Sequence, residues 1–229
     1  MVALLVGCVP LFYLWRPFTT HNPWPRRFLG GIGWIAGVRL QAEGRPARTG
    51  AFLLTNHVSW LDVPVLAGAT GTAFVAHSGL TVSRFLAWLC AMNDTVFVAR
   101  HDRRSVHAQV EQVRTALSDT GALTIFPEGT TSDGTGLLPF KSSLLSALDP
   151  PPPGIVAQPV WLDYGPEVTR IAWVGEEHGL NNFLRILALG RPLRVTVHFL
   201  APFDPVAVGN RKAVSALARQ EILSAMAKV

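Results

Sequence analysis

An apolar run of strand length, Ala51-Phe52-Leu53-Leu54-Thr55, breaks into Asn56-His57-Val58-Ser59-Trp60-Leu61-Asp62. A histidine at the C-terminal end of a buried strand stands where open α/β sheets hold their ligands. Asp62 follows His57 by five positions, and on a regular helix that spacing would leave the two side chains roughly 140° apart. They meet only if His57 lies in the turn before a helix and Asp62 reaches back from its first turns. In that geometry the carboxylate holds one imidazole nitrogen and fixes the tautomer, leaving the other nitrogen to take a proton from a hydroxyl. The alternative is a helix capped by Asn56, with Asp62 solvated and His57 an incidental turn residue.

A second turn follows the strand-like run Ala122-Leu123-Thr124-Ile125. It reads Phe126-Pro127-Glu128-Gly129-Thr130-Thr131-Ser132-Asp133-Gly134, with Leu138-Pro139-Phe140-Lys141 after it. Pro127 stops the strand, and Gly129 lets the backbone approach a ligand closely. Backbone amides and the Thr130 hydroxyl can then donate to phosphate oxygens, whereas Glu128 is not itself a phosphate binder.

Together these stretches resemble the glycerolipid acyltransferase family, whose best known members are the 1-acyl-glycerol-3-phosphate acyltransferases. Four blocks carry the resemblance, in order: His57 and Asp62; Val96-Phe97-Val98-Ala99-Arg100; Phe126 to Thr131; and Val156-Ala157-Gln158-Pro159-Val160. It runs from about Arg39 to Val160. The resemblance implies that His57, oriented by Asp62, deprotonates a hydroxyl of a lysolipid, which attacks the thioester of acyl-CoA or acyl-carrier protein. No cofactor or metal is implied. Arg100 becomes a candidate for the acceptor's phosphate, since a guanidinium grips two oxygens at once. Glu128, Gly129 and Thr130 fall in the acceptor site. An arginine usually stands at the position of Thr131, so one cation is missing or replaced, by Lys141 or Arg103. That departure resembles a bacterial subgroup that includes lyso-ornithine lipid acyltransferases. The expected product is phosphatidic acid from 1-acyl-glycerol-3-phosphate. Acylation of lyso-ornithine lipid, lipid hydrolysis and lipid binding without catalysis are the alternatives.

No Gly-x-Ser-x-Gly elbow offers a nucleophilic serine, which agrees with direct attack. The oxyanion then needs donors near His57, and amides opening the following helix are the expected source. Gly129 and Gly134 are followed by Thr135, so no phosphate loop of the ATP-binding type is present. The chain is 49% hydrophobic and 15% charged, with a net charge of +5 and two cysteines. That balance favours an anionic lipid surface. The basic residues are scattered, without the patterns of nucleic-acid binders. Two cysteines make no disulfide framework and suggest a reducing compartment.

Met1 to Trp15 is almost unbroken apolar sequence containing Pro10. As a helix it would reach roughly 22 Å, short of a ~30 Å hydrocarbon core. A monotopic or marginally spanning anchor is expected, and a core-packed helix is the alternative. The expected division is an N-terminal membrane-anchoring or interfacial segment, 1–37, and a domain over 38–229 that the resemblance implies is an acyltransferase on the cytoplasmic face of a bacterial inner membrane. Gly31-x-Gly33-x-x-Ala36 follows no strand, so close packing explains that glycine run better than dinucleotide binding.

Strands are expected at Val38–Gly44, Ala51–Thr55, Ala73–Ala76, Thr95–Ala99, Ala122–Ile125, Val156–Leu162, Ile171–Val174 and Val195–Phe199. Pro159 suggests an edge or a bulge. Helices are expected after Asp62, around Val82–Leu89, from Ser105 to near Gly121, over Ser142–Leu148, over Leu180–Leu189 as an acyl groove or plain core, and over Asn210–Lys228. The alternation implies an α/β fold: a mostly parallel central sheet flanked by helices, with an N-terminal membrane-associated helical segment.

Overall fold

All five residues of the strand Ala51–Thr55 are fully buried. A strand apolar on both faces requires cover on both faces and neighbours on both edges. In the computed structural model, which describes residues 1–19, 22–77, 84–98, 112–113, 115–117, 119–148, 151–152 and 154–228, both requirements are met. The strands are β1 (Val38–Glu43), β2 (Ala51–Thr55), β3 (Ala73–His77), β4 (Val96–Val98), β5 (Ala122–Ile125), β6 (Val156–Asp163) and β7 (Leu193–Phe199). They form one sheet in the order β1-β7-β6-β2-β5-β3-β4. Every pairing is parallel except β6 with β7. On one face Leu53 joins Val160, Leu162 and Val195 under α3 (Asp62–Thr70) and α5 (Gly179–Leu187). On the other, Phe52 and Leu54 join Leu123, Ile125, Val214 and Ala218, the last two from α6 (Arg211–Met226).

Register fixes the site. Leu54 lies opposite Ile125 of β5, and Thr55 lies opposite Val160 of β6. Because the three strands run parallel, the residues after Thr55, Ile125 and Asp163 emerge at the same edge of the sheet. That edge is a topological switch point, with β2 followed in space by β5 on one side and β6 on the other.

The N-terminal segment is helical: α1 (Val2–Trp15) and α2 (Trp24–Ile35). A Cβ on Gly68 would stand 3.1 Å from the Gly30 Cα, so the glycines of α2 allow its backbone to cross that of α3. Among the described residues, no helix is long and apolar enough to cross a membrane. Several side chains of α1, including Val2, Val6 and Leu14, are nonetheless exposed. A helix α4 (Arg84–Met92) follows β3.

The structure corrects one expectation and refines three. Residues 171–174 are not a strand: Val168–Ile171 is a single helical turn, and Trp173 donates its backbone N–H to Val58 O at 2.9 Å. Gly165, at φ +54°, and Pro166 begin that turn directly after β6. Of the two settings expected for Pro159, an edge or a bulge, the structure shows the bulge, for β6 lies between β7 and β2. Its carbonyl accepts from Leu200 N–H, so its missing donor faces the β7 side. There Val160 pairs with Phe199 but Ala157 with Phe203, and the one extra residue on the opposing side is a bulge that tolerates the proline. The strand expected at Val38–Gly44 is β1, an edge strand exposed along all but Val38. The short helix expected over Ser142–Leu148 is present as a 3-10 helix. Residues 112–120, where described, are helical; the expected start of that helix at Ser105, like Val82, Arg103 and Arg104, lies outside the described residues.

Candidate active site

His57 lies in the turn between β2 and α3, and Asp62 is the first residue of α3. The His57 Nδ1 and Asp62 Oδ2 atoms are 2.7 Å apart. The same Oδ2 accepts the backbone N–H groups of Val58, at 2.6 Å, and Ser59, at 3.0 Å. The other oxygen, Oδ1, accepts the Tyr164 hydroxyl. A carboxylate accepting on both oxygens makes Nδ1 the protonated ring nitrogen and leaves Nε2 as the base. Asp62 is fully buried while the His57 side chain is 21% exposed, so the orienting group is shielded and the reacting group is reachable. The Val58 and Ser59 amides, in the turn before α3, are consumed by Asp62, because a buried carboxylate must find donors. Asn56 does not cap α3. Its side chain pairs with the backbone of Leu162 through both oxygen and nitrogen, at 2.8 and 3.1 Å, extending the β2–β6 ladder by one side chain.

The second turn clamps the His57 backbone from both directions. Glu128 Oε1 accepts His57 N–H at 2.9 Å, and His57 O accepts from Ser132 N–H at 2.8 Å and Ser132 Oγ at 3.1 Å. Glu128 is fully buried, and its Oε2 accepts Leu138 N–H at 3.0 Å. Both oxygens are thus spent on backbone, and the carboxylate braces the turn instead of facing the cavity described next. Burial pushes its carboxyl up to about 6; the two backbone bonds and nearby His57 oppose the rise, and Asp62 adds to it.

Gly129, at φ +69°, reverses the chain just after Glu128. A Cβ there would come 3.3 Å from both Cδ and Nζ of Lys141, so the Lys141 stem lies along the turn, tied to it by Lys141 N–H to Pro127 O at 2.7 Å. Gly129, Thr130 and Lys141 are exposed. Thr131 is not free for a ligand, since its hydroxyl donates to Trp173 O. Arg100 lies outside the described residues.

A cavity of about 630 Å³ opens beside His57. Its walls come from α1 (Cys8, Val9), α2 (Phe28, Ile32), α4 (Leu89, Met92), the two turns (His57, Phe126, Gly129, Thr130) and Trp173 and Phe183. Phe126 stacks on the His57 ring, with centroids 4.0 Å apart. An apolar chain fits such a space. Among the described residues, no group of three His, Cys, Asp or Glu side chains could hold a metal.

Three participants were not singled out from sequence: Tyr164, Ser132 and Trp173. Tyr164 is one of only two tyrosines, just past a predicted strand, but its relevance needs β6 to be known as the neighbour of β2. Ser132 lay within the second turn, whose contact with His57 is equally a matter of strand order.

Comparison with known proteins gives the family. A family model described as "Acyltransferase" matches residues 38–163. The chain is 33% identical to a lyso-ornithine lipid O-acyltransferase of Rhizobium meliloti, covering 97% of this chain and 81% of that protein. It is 29% identical to a lyso-ornithine lipid O-acyltransferase of Rhodobacter capsulatus over 90% and 78% of the two chains. A 1-acyl-sn-glycerol-3-phosphate acyltransferase of Neisseria gonorrhoeae is 35% identical over 52% of this chain and 49% of its own. The crystal structure of the 1-acyl-sn-glycerophosphate acyltransferase of Thermotoga maritima superposes with a TM-score of 0.63 at 20% identity, over 99% and 92% of the chains, and so shares the fold. This chain belongs to the glycerolipid acyltransferase family.

Proposed function

We propose that the protein moves an acyl group from the thioester of acyl-CoA or acyl-carrier protein to the free hydroxyl of a lysolipid, and that the acceptor is a lyso-ornithine lipid. The observation that carries the reading is the His57 Nδ1 to Asp62 Oδ2 contact of 2.7 Å at the mouth of an apolar cavity. Nε2 takes the acceptor's hydroxyl proton as the oxygen attacks the thioester carbonyl. The carbon–sulfur bond then breaks and the imidazolium returns the proton to the departing sulfur. The reaction needs no covalent acyl-enzyme.

Two observations support the ornithine acceptor. Thr131 stands where an arginine is usual and spends its hydroxyl on Trp173 O, and two relatives that span most of this chain are named for that activity. A second reading, transfer to 1-acyl-glycerol-3-phosphate, is favoured by Lys141, whose ammonium lies against the Gly129 turn, and by Arg100 through the family resemblance. The apolar side chains exposed along α1 support membrane association through residues 1–37. Thiol release measured with lyso-ornithine lipid and lysophosphatidate side by side tests the acceptor. The expected result is faster turnover with the ornithine lipid; preference for lysophosphatidate would reverse the assignment. Substantial turnover by His57→Ala with either acceptor would refute the mechanism.

A further inference from the structure

Beside His57 the cavity carries an aromatic bank. Trp60 and Phe183 rings lie 4.9 Å apart, centroid to centroid. Phe183 and Gly179 are one turn apart on α5 and share a face. A Cβ on Gly179 would meet Cη2 and Cζ2 of Trp173 at 3.0 Å, so the Trp173 ring lies against α5 at Gly179 and lines the same cavity as Phe183. The ring is held firmly. Its indole N–H donates to Glu177 O at 2.7 Å, its backbone N–H to Val58 O at 2.9 Å, and its carbonyl accepts from Thr131. The Glu177 carboxylate is itself taken by Arg185, at 2.8 and 3.0 Å, and Asn182, at 2.9 Å. The described residues lining the cavity include no Asp, Glu, Lys or Arg.

We propose that this bank, with Trp173 as its centre, binds the ammonium of an amino-acid headgroup, while Lys141 and the Gly129 turn take the headgroup carboxylate. The inference rests on the ornithine-lipid reading above and adds the residues that discriminate. An ornithine acylated on one amine keeps a second amine, charged at neutral pH, and its carboxylate. An ammonium within about 6 Å of a tryptophan ring is drawn to the negative face of the π system, and tryptophan is the strongest of the three aromatic side chains at this. The same face repels a phosphate dianion. The bank therefore selects for a cation without a paired carboxylate, in the region that Thr131 leaves without an arginine.

The test compares two acceptors, the lyso-ornithine lipid with its remaining amine free and the same lipid with that amine acetylated, on wild type, Trp173→Phe and Trp173→Leu. Both variants lose the indole bond to Glu177, so their difference reads the ring face alone. Wild type is expected to show a KM about tenfold lower for the free amine. Trp173→Leu should raise KM for the free amine about tenfold more than for the acetylated acceptor, with Trp173→Phe recovering most of that difference. Equal KM values for the two acceptors in wild type overturn the proposal without needing any variant to fold, and so does an equal rise for both in Trp173→Leu, which marks the bank as an apolar groove. Transfer to lysophosphatidate and to neither ornithine acceptor overturns the inference together with the function beneath it.

Discussion

The Tyr164 hydroxyl donates to Asp62 Oδ1, the oxygen that His57 leaves free. Burial pushes the phenol's ionisation well above its ordinary range, with Asp62 adding to the shift, so the group stays a donor. Tyr164→Phe keeps the ring and strands a buried carboxylate oxygen. A stability loss of about 1–3 kcal/mol is expected, with kcat falling and the acceptor KM nearly unchanged. Denaturant melts and steady-state kinetics check this; an unaltered kcat would show that Asp62 holds His57 without help.

Asp62→Asn keeps the volume but turns one acceptor oxygen into a donor amide. The neutral amide is a weaker acceptor than the carboxylate for the Val58, Ser59 and His57 donors, and it no longer offsets charge on the imidazolium. Turnover is expected to fall about 10²–10⁴-fold, with donor thioester binding retained. Loss of thioester binding in step with kcat would mean that the turn had collapsed.

Glu128 gives stability a pH signature. Its folded-state carboxyl titrates near 6, above its ordinary 4.5, so the folded protein holds this proton more tightly than the unfolded chain does. The contribution is present below pH 4.5 and is lost as pH rises through 6, amounting to about 2 kcal/mol. Glu128→Gln lacks it, so the stability gap between wild type and variant should narrow from pH 5 to pH 7.5 in denaturant melts. A gap that widens would contradict the sign.

Gly129→Ala forces a side chain into the left-handed region, 3.1 Å from Leu144 Cδ1 and against Lys141. The backbone strain costs about 1 kcal/mol, which for a chain of this size lowers Tm by about 2–4 °C. Because Lys141 is displaced, KM for the acceptor should rise more than kcat falls. Kinetics showing the reverse would place the Gly129 turn with the chemistry and not the headgroup.

Most strands were legible because a buried parallel strand is a short continuous apolar run closed by a turn residue, as in Ala51–Thr55 and Ala122–Ile125. The segment 171–174 misled for the same reason: its apolar residues pack into the core from a helical turn and an extended tail, and burial alone does not specify conformation. Pro159 left edge and bulge open because the bulge is contributed by residues 199–203, far away in sequence. The division of labour in the second turn was equally hidden. Glu128 looks outward in sequence, beside residues that suit a ligand, yet folds inward to hold two backbone amides.

By itself the sequence determined the chemical types: a histidine and an aspartate at a spacing that works only across a turn, a glycine turn after a strand, and an apolar N-terminal helix. Local patterns suffice for these because strand ends and helix starts are decided within a few residues. Only the tertiary structure decided which strand ends are neighbours. The order β6-β2-β5 brings Tyr164, His57 and Glu128 together from positions far apart in the chain. Strand order is set by which buried faces pack together across the whole sheet, and no short stretch of residues contains that information.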